Sequence, residues 1–106
     1  MTVEDVREQA LALADTTEEP HWGNPSFRTR GRIFATVPDP QHLNVFVDVM
    51  EVDGIVRRNP ESCAELWWGK ELRGVRVELP DADPRLVGEL LQSAWRRRAK
   101  KRTLSR

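Results

Sequence analysis

The sequence predicts an α+β fold of two layers, in the order α-β-β-β-α-β-β-α, with one mainly antiparallel sheet. Three observations predict it. Capped apolar stripes at helical spacing open and close the chain, starting at Thr2 and at Asp83. Two glycine-marked turns, Arg30-Gly31 and the segment between Gly69 and Gly74, each join runs with strand character. A short capped segment from Val49 to about Arg58 separates the two hairpins.

The first helix starts at Thr2, whose hydroxyl caps free amides, with Asp5 three residues on to complete a capping box. Val3, Val6, Ala10, Leu13 and Ala14 then form one apolar stripe. From Thr16 to Pro25 the chain reads as a loop, because Pro20, Gly23 and Pro25 interrupt regular structure. Ser26–Arg30 and Arg32–Val37 read as strands around a tight turn, which places Phe27 directly opposite Phe34. Pro38 and Pro40 end the second strand, and Leu43–Val47 is the third. Asp48 with Glu51 forms another capping box for the Val49–Arg58 helix, which Asn59-Pro60 stops.

Ala64–Trp68 and Val75–Leu79 read as the second hairpin. Asp83 caps the last helix and Pro84 takes its first position, where a missing amide costs nothing. Leu86, Val87, Leu90, Leu91, Ala94 and Trp95 form its stripe, and the basic residues beyond are expected to be solvated. Strand parity places Ile33, Ala35, Val37, Leu43, Val45, Val47, Val75, Val77 and Leu79 on one aliphatic face. Phe34, Phe46 and Trp67 fall on the other, where loops or the third helix are expected to cover them rather than leave a stacking platform.

The 106 residues fit a single domain, 1–106, with a basic, flexible tail from about residue 99. Hydrophobic residues make up 39% and charged residues 32%, the balance of an ordinary globular chain. No apolar run reaches the roughly 18 residues of a membrane span. Glu4, Asp5 and Glu8 stand where a signal peptide carries positive charge, so a cytoplasmic location is expected.

Cys63 is the only cysteine, and with two histidines the chain lacks the ligands of a four-coordinate zinc site. Cys63 reads as a small packing residue. His21 and His42 have no nucleophile nominated beside them, and His21 with Trp22 reads as an anchor for the long loop. No glycine-rich phosphate loop, dinucleotide fingerprint or nucleophile elbow is present. The expectation is therefore a protein without catalytic residues, cofactor, metal or small-molecule substrate.

Seventeen basic residues balance seventeen acidic ones, but unevenly: residues 1–25 carry six acids and one base, and residues 96–106 carry seven bases and no acid. The polarised chain can present a basic face.

The run His21-Trp22-Gly23-Asn24-Pro25-Ser26-Phe27-Arg28, followed by Gly31-Arg32-Ile33-Phe34-Ala35, resembles the signature of the MmcQ/YjbR family. Trp68-Gly69-Lys70 before Gly74, and Ser93-Ala94-Trp95 in the last helix, extend the resemblance over nearly the whole chain. Val75 stands where members often have Trp, and Trp95 where they often have Tyr; both read as core exchanges. The resemblance implies a CyaY-like or secretion-chaperone-like fold. It also implies DNA binding in a double-wing arrangement, with no enzymatic activity to carry over, and a motif loop of His21, Trp22 and Gly23.

On that reading the basic hairpin turns contact phosphates through Arg28, Arg30, Arg32, Lys70 and Arg73. Lys100 and Lys101 of the basic tail join them. DNA is the expected partner of a monomer or weak homodimer. The alternative is a protein-interaction or chaperone-like module that uses the open sheet face, at Phe46 or Trp67.

Overall fold

The computed structural model describes residues 1–100. The chain runs α1 (Val3–Leu11), β1 (Thr16–His21), β2 (Asn24–Thr29), β3 (Arg32–Asp39), β4 (His42–Val45) and α2 (Val49–Arg58). It continues with β5 (Cys63–Trp68), β6 (Glu71–Glu78), a 3₁₀ turn at Leu79–Asp81 and α3 (Pro84–Lys100). One sheet has the order β1-β2-β3-β4-β6-β5, every neighbouring pair antiparallel. This is the expected α+β architecture with one strand more than expected. Among the described residues no helix is long and apolar enough to cross a membrane.

The caps behave as their chemistry dictates. Thr2 Oγ1 accepts the Asp5 amide at 3.2 Å, and the Asp5 carboxylate accepts the Thr2 amide at 3.0 Å. Asp83 accepts the Arg85 amide at 2.9 Å at the start of α3. At α2, Asp48 accepts the Met50 amide at 2.9 Å. Glu51, expected to complete a box there, instead receives the Ser93 hydroxyl at 3.4 Å and ties α2 to α3.

The loop expected from Thr16 to Pro25 is a strand and a hairpin turn. β1 pairs with β2 over its whole length, from Thr16↔Thr29 to His21↔Asn24. Trp22 and Gly23 join them, both at positive φ (56° and 82°), as two-residue turns of type I′ require. The strand was hidden because its residues, Thr-Thr-Glu-Glu-Pro-His, show no apolar alternation. It lies at the sheet edge, where Pro20 loses no ladder bond on its open side. Arg7 donates to both Glu18 oxygens, at 2.6 and 2.9 Å, which fastens β1 to α1 and holds the Glu18 carboxyl below its usual range.

The register is irregular at three places, in the β2–β3, β3–β4 and β5–β6 pairs, and two of them account for side chains that change face. Arg28 pairs with Ile33 but Phe27 pairs with Ala35, so Phe34 is an extra residue in β3. Phe27 therefore does not face Phe34. Phe34 instead enters the core, fully buried with Ala35, and Ile33 is left partly exposed. In β5 the register steps from Leu66↔Gly74 to Trp67↔Leu72, the second of these two. β6 also begins earlier than expected, which places Arg73 and Gly74 within the strand.

The core gathers Val6 and Ala10 of α1, Val52 and Ile55 of α2, and Val87, Leu90, Leu91 and Ala94 of α3 against the inner strand residues. All three helices thus cover one face of the sheet. Trp95 is partly exposed and donates its indole N–H to the Ala14 carbonyl at 2.8 Å. Leu91 is 1% exposed. Its replacement, Leu91→Ala, is expected to destabilise the fold by about 2–5 kcal/mol in denaturant unfolding, from lost burial and a residual cavity. A neutral result would remove the packing role assigned to α3.

Candidate functional site

Antiparallel pairing places the Arg30-Gly31 and Gly69-Lys70 turns at the same end of the sheet, although β4 separates the two hairpins. Below them, the sheet face opposite the helices holds a cleft of about 900 Å³. Its floor is built from β3, β4 and the residue that follows β4, with Ile33, Thr36, Asn44 and Phe46. Thr36 and Asn44 are register partners, and the Asn44 side-chain amide donates to Thr36 Oγ1 at 3.3 Å. The floor is thus half apolar and half capable of hydrogen bonding.

Four arginines line this cleft: Arg28, Arg32, Arg73 and Arg98. No carboxylate lines it among the described residues. Arg28 Nε donates to Ser26 Oγ at 3.3 Å and lies 3.8 Å from a Glu19 oxygen. Arg73 lies 3.5 Å from Glu71 and stacks its guanidinium 4.1 Å from the centre of the Trp68 ring. Trp68 in turn meets Phe46 edge-on, with centroids 5.6 Å apart.

Arg98 arrives from the helical layer. Its Nε donates to the Ile33 carbonyl at 3.0 Å, and Arg97 donates to the Phe46 carbonyl at 3.0 Å. α3 therefore continues past Trp95 and anchors on the sheet end, where a solvated tail was expected. Burial, with the positive charges of Arg97, Arg32 and Arg73, pushes the Arg98 guanidinium below its ordinary pKa. A like-charge cluster with few counter-ions is stabilised by an anion.

The expected contact residues divide accordingly. Arg28, Arg32 and Arg73 meet in the cleft. Arg30 and Lys70 stay exposed on the turns. Lys101 lies outside the described residues, as does the side chain of Lys100. His21 and Trp22 of the motif segment line the cleft, while Gly23 completes the turn. Trp22 is 90% exposed with His21 edge-on beside it, so this pair does not anchor a loop against the body.

Arg98 and Trp68 were not read from the sequence as site residues. Arg98 sits three positions after Trp95 and seven after Leu91, so the stripe itself aims it at the sheet. Trp68 takes the place that strict alternation gave to Trp67, because of the irregularity after Leu66. The aromatic residues expected under loops or α3 separate as well. Phe34 is core, Phe46 lies beneath Trp68, and Trp67 is half exposed with its indole donating to Glu65 at 2.9 Å.

Away from the cleft, His42 ties the β3–β4 turn to β6. Its Nδ1 lies 2.9 Å from Asp39 and its Nε2 3.0 Å from Glu78. Asp39 is held below the usual carboxylate range by the Gln41 amide and by His42. Cys63 is buried in the core, where burial pushes its thiol up. A buried thiol above its ordinary range is a poor nucleophile.

Searches of curated proteins and of solved structures each return no match. The family model YjbR matches residues 11–97, a span that runs from the end of α1 to the arginines of α3 and holds every residue of the cleft except Arg98. With most of its length under that one match, the chain belongs to the YjbR family.

Proposed function

We propose that this protein binds DNA, without catalysis, by holding backbone phosphates on the arginines of the outer-face cleft. One observation carries the reading: Arg28, Arg32, Arg73 and Arg98 converge from three separate parts of the chain on a cleft whose described lining has no carboxylate. Phosphate contacts come mainly from arginine and lysine, and arginine's planar fork suits phosphate oxygens. Arg30 and Lys70, exposed on the neighbouring turns, extend the same positive surface to flanking phosphates. The double-wing idea thus changes in detail. The hairpins supply the arginines, but most of those turn inward to the sheet face instead of projecting from the tips.

The test is a salt titration of binding to DNA oligonucleotides. Arg32→Gln is expected to weaken binding to all sequences about equally and to lower the magnitude of the salt slope by about one unit. A sequence-selective loss would mean that Arg32 reads bases. The rival reading, a protein-interaction module, draws on Trp67, which is half exposed, whereas Phe46 is only 4% exposed and offers little surface. It expects no DNA affinity at about 0.15 M salt, where the screening length is about 8 Å.

A further inference from the structure

The cleft holds aromatic side chains as well as cations, and a purely electrostatic contact with phosphates gives them no task. Trp68 is 46% exposed beside Arg73, and Trp22 stands 90% exposed at the mouth of the same cleft. Trp22 is held at φ 56°, the left-handed region, where a bulky residue is uncommon and costs strain. Asparagine or glycine would serve the turn better. A strained, solvent-exposed tryptophan on the rim of a cationic cleft is thus maintained against both its backbone preference and its burial preference. Such outliers gather at ligand clamps.

We propose that the cleft takes DNA as an unpaired strand, with bases stacked on Trp68 and Trp22 and phosphates on Arg28, Arg32, Arg73 and Arg98. This rests on the DNA reading above and deepens it. In a duplex the base faces are covered by their neighbours, so neither indole has a ring to stack on. An unpaired strand presents those faces, and every base has one, so stacking tolerates any sequence. The Arg73 guanidinium, already lying on Trp68, is a second stacking plane that also carries charge. Thr36 and Asn44 on the floor supply hydrogen-bonding groups to base edges. The length fits too. The cleft follows β2 from the Trp22 turn to the Gly31 turn, and six strand residues span roughly 20 Å. That is room for a short run of nucleotides.

The experiment measures binding of the wild-type chain to oligothymidylate, to a blunt duplex of equal length and to inorganic polyphosphate, at about 0.15 M salt. Fluorescence anisotropy gives affinity, and quenching of tryptophan emission reports stacking. Oligothymidylate is expected to bind at least about 10-fold more tightly than the duplex, with quenching that polyphosphate does not produce. Trp22→Asn keeps the turn conformation, and Trp68→Leu keeps an apolar contact on Phe46, so both variants retain the fold. Each is expected to lose about 5- to 100-fold in affinity for oligothymidylate and little for polyphosphate. Equal binding of duplex and single strand, or tryptophan variants that bind oligothymidylate as wild type does, would overturn the unpaired-strand inference and leave the DNA reading standing. Absence of binding to either DNA would overturn both.

Discussion

Reversing two charges in the cleft, Arg32→Glu with Arg73→Glu, is expected to abolish DNA binding at about 0.15 M salt and leave the melting temperature nearly unchanged. The binding loss follows from counting. Two cations vanish and two anions appear beside Arg28 and Arg98, so the site loses most of its positive charge where phosphates approach. The stability claim follows from the neighbours. Arg32 and Arg73 both repel Arg98, which is partly buried and anchored to the Ile33 carbonyl. Glutamates in their place turn repulsion into attraction. The guanidinium stacked on Trp68 is lost, a contribution of about 0.5–1 kcal/mol at an exposed site, which the new attraction offsets in part. Anisotropy and a thermal melt of the same sample check both halves. Retained binding would show that these arginines do not form the DNA site, and a large drop in melting temperature would make any binding loss uninformative.

Local chemistry was readable wherever it decided structure on its own. Thr2, Asp48 and Asp83 cap the helices they were expected to cap. Arg30-Gly31 forms its tight turn, and the α3 stripe buries Leu90 and Leu91. β1 escaped because a strand with two polar faces leaves no period in the sequence, and only its partner β2 defines it. The register irregularities at Phe34 and after Leu66 were illegible for a related reason. Inserting one residue in β3 reverses which side chains face the helices, and nothing in Ile33-Phe34-Ala35 marks the place. Phe34 and Trp67 were assigned to the outer face on strict alternation, and both assignments shifted.

The site was legible in parts and illegible as a whole. Arg28, Arg32 and Arg73 stood out as basic residues around two turns. That they share one cleft depends on the sheet order, in which β4 pairs with both β3 and β6. That order also brings the end of α3, and with it Arg98, to the same place. Family membership, expected from the His21–Arg28 run, is shown by the match over residues 11–97.

A loss of stability in the same range as that of Leu91→Ala is expected from Gly74→Ala, one methyl group in the middle of β6. Gly74 is buried, with an ordinary φ, so backbone freedom is not the reason for glycine here. Space is the reason. A Cβ at this position would lie 2.2 Å from the Val45 carbonyl oxygen and 3.1 Å from the Phe46 Cα. Both are backbone atoms of the β4 end, so no side-chain rotation relieves the contact. β4 and β6 must move apart where Val45 pairs with Val75, or the ladder must break there. Overpacking of a close-packed interior costs about 1–3 kcal/mol, and a backbone contact this short belongs at or above the upper end. At about 3 kcal/mol a chain of this size loses roughly 12–24 °C in melting temperature. Gly54→Ala supplies the contrast. There the new Cβ meets only the end of the Arg58 side chain, at 3.0 Å, which can swing away, and alanine favours the helix by about 1 kcal/mol. The two glycine-to-alanine changes are therefore expected to shift the melting temperature in opposite directions. If Gly74→Ala melts with the wild type, β4 and β6 do not approach as closely as Val45 and Gly74 require, and the floor of the cleft, which β4 carries, would have to be redrawn.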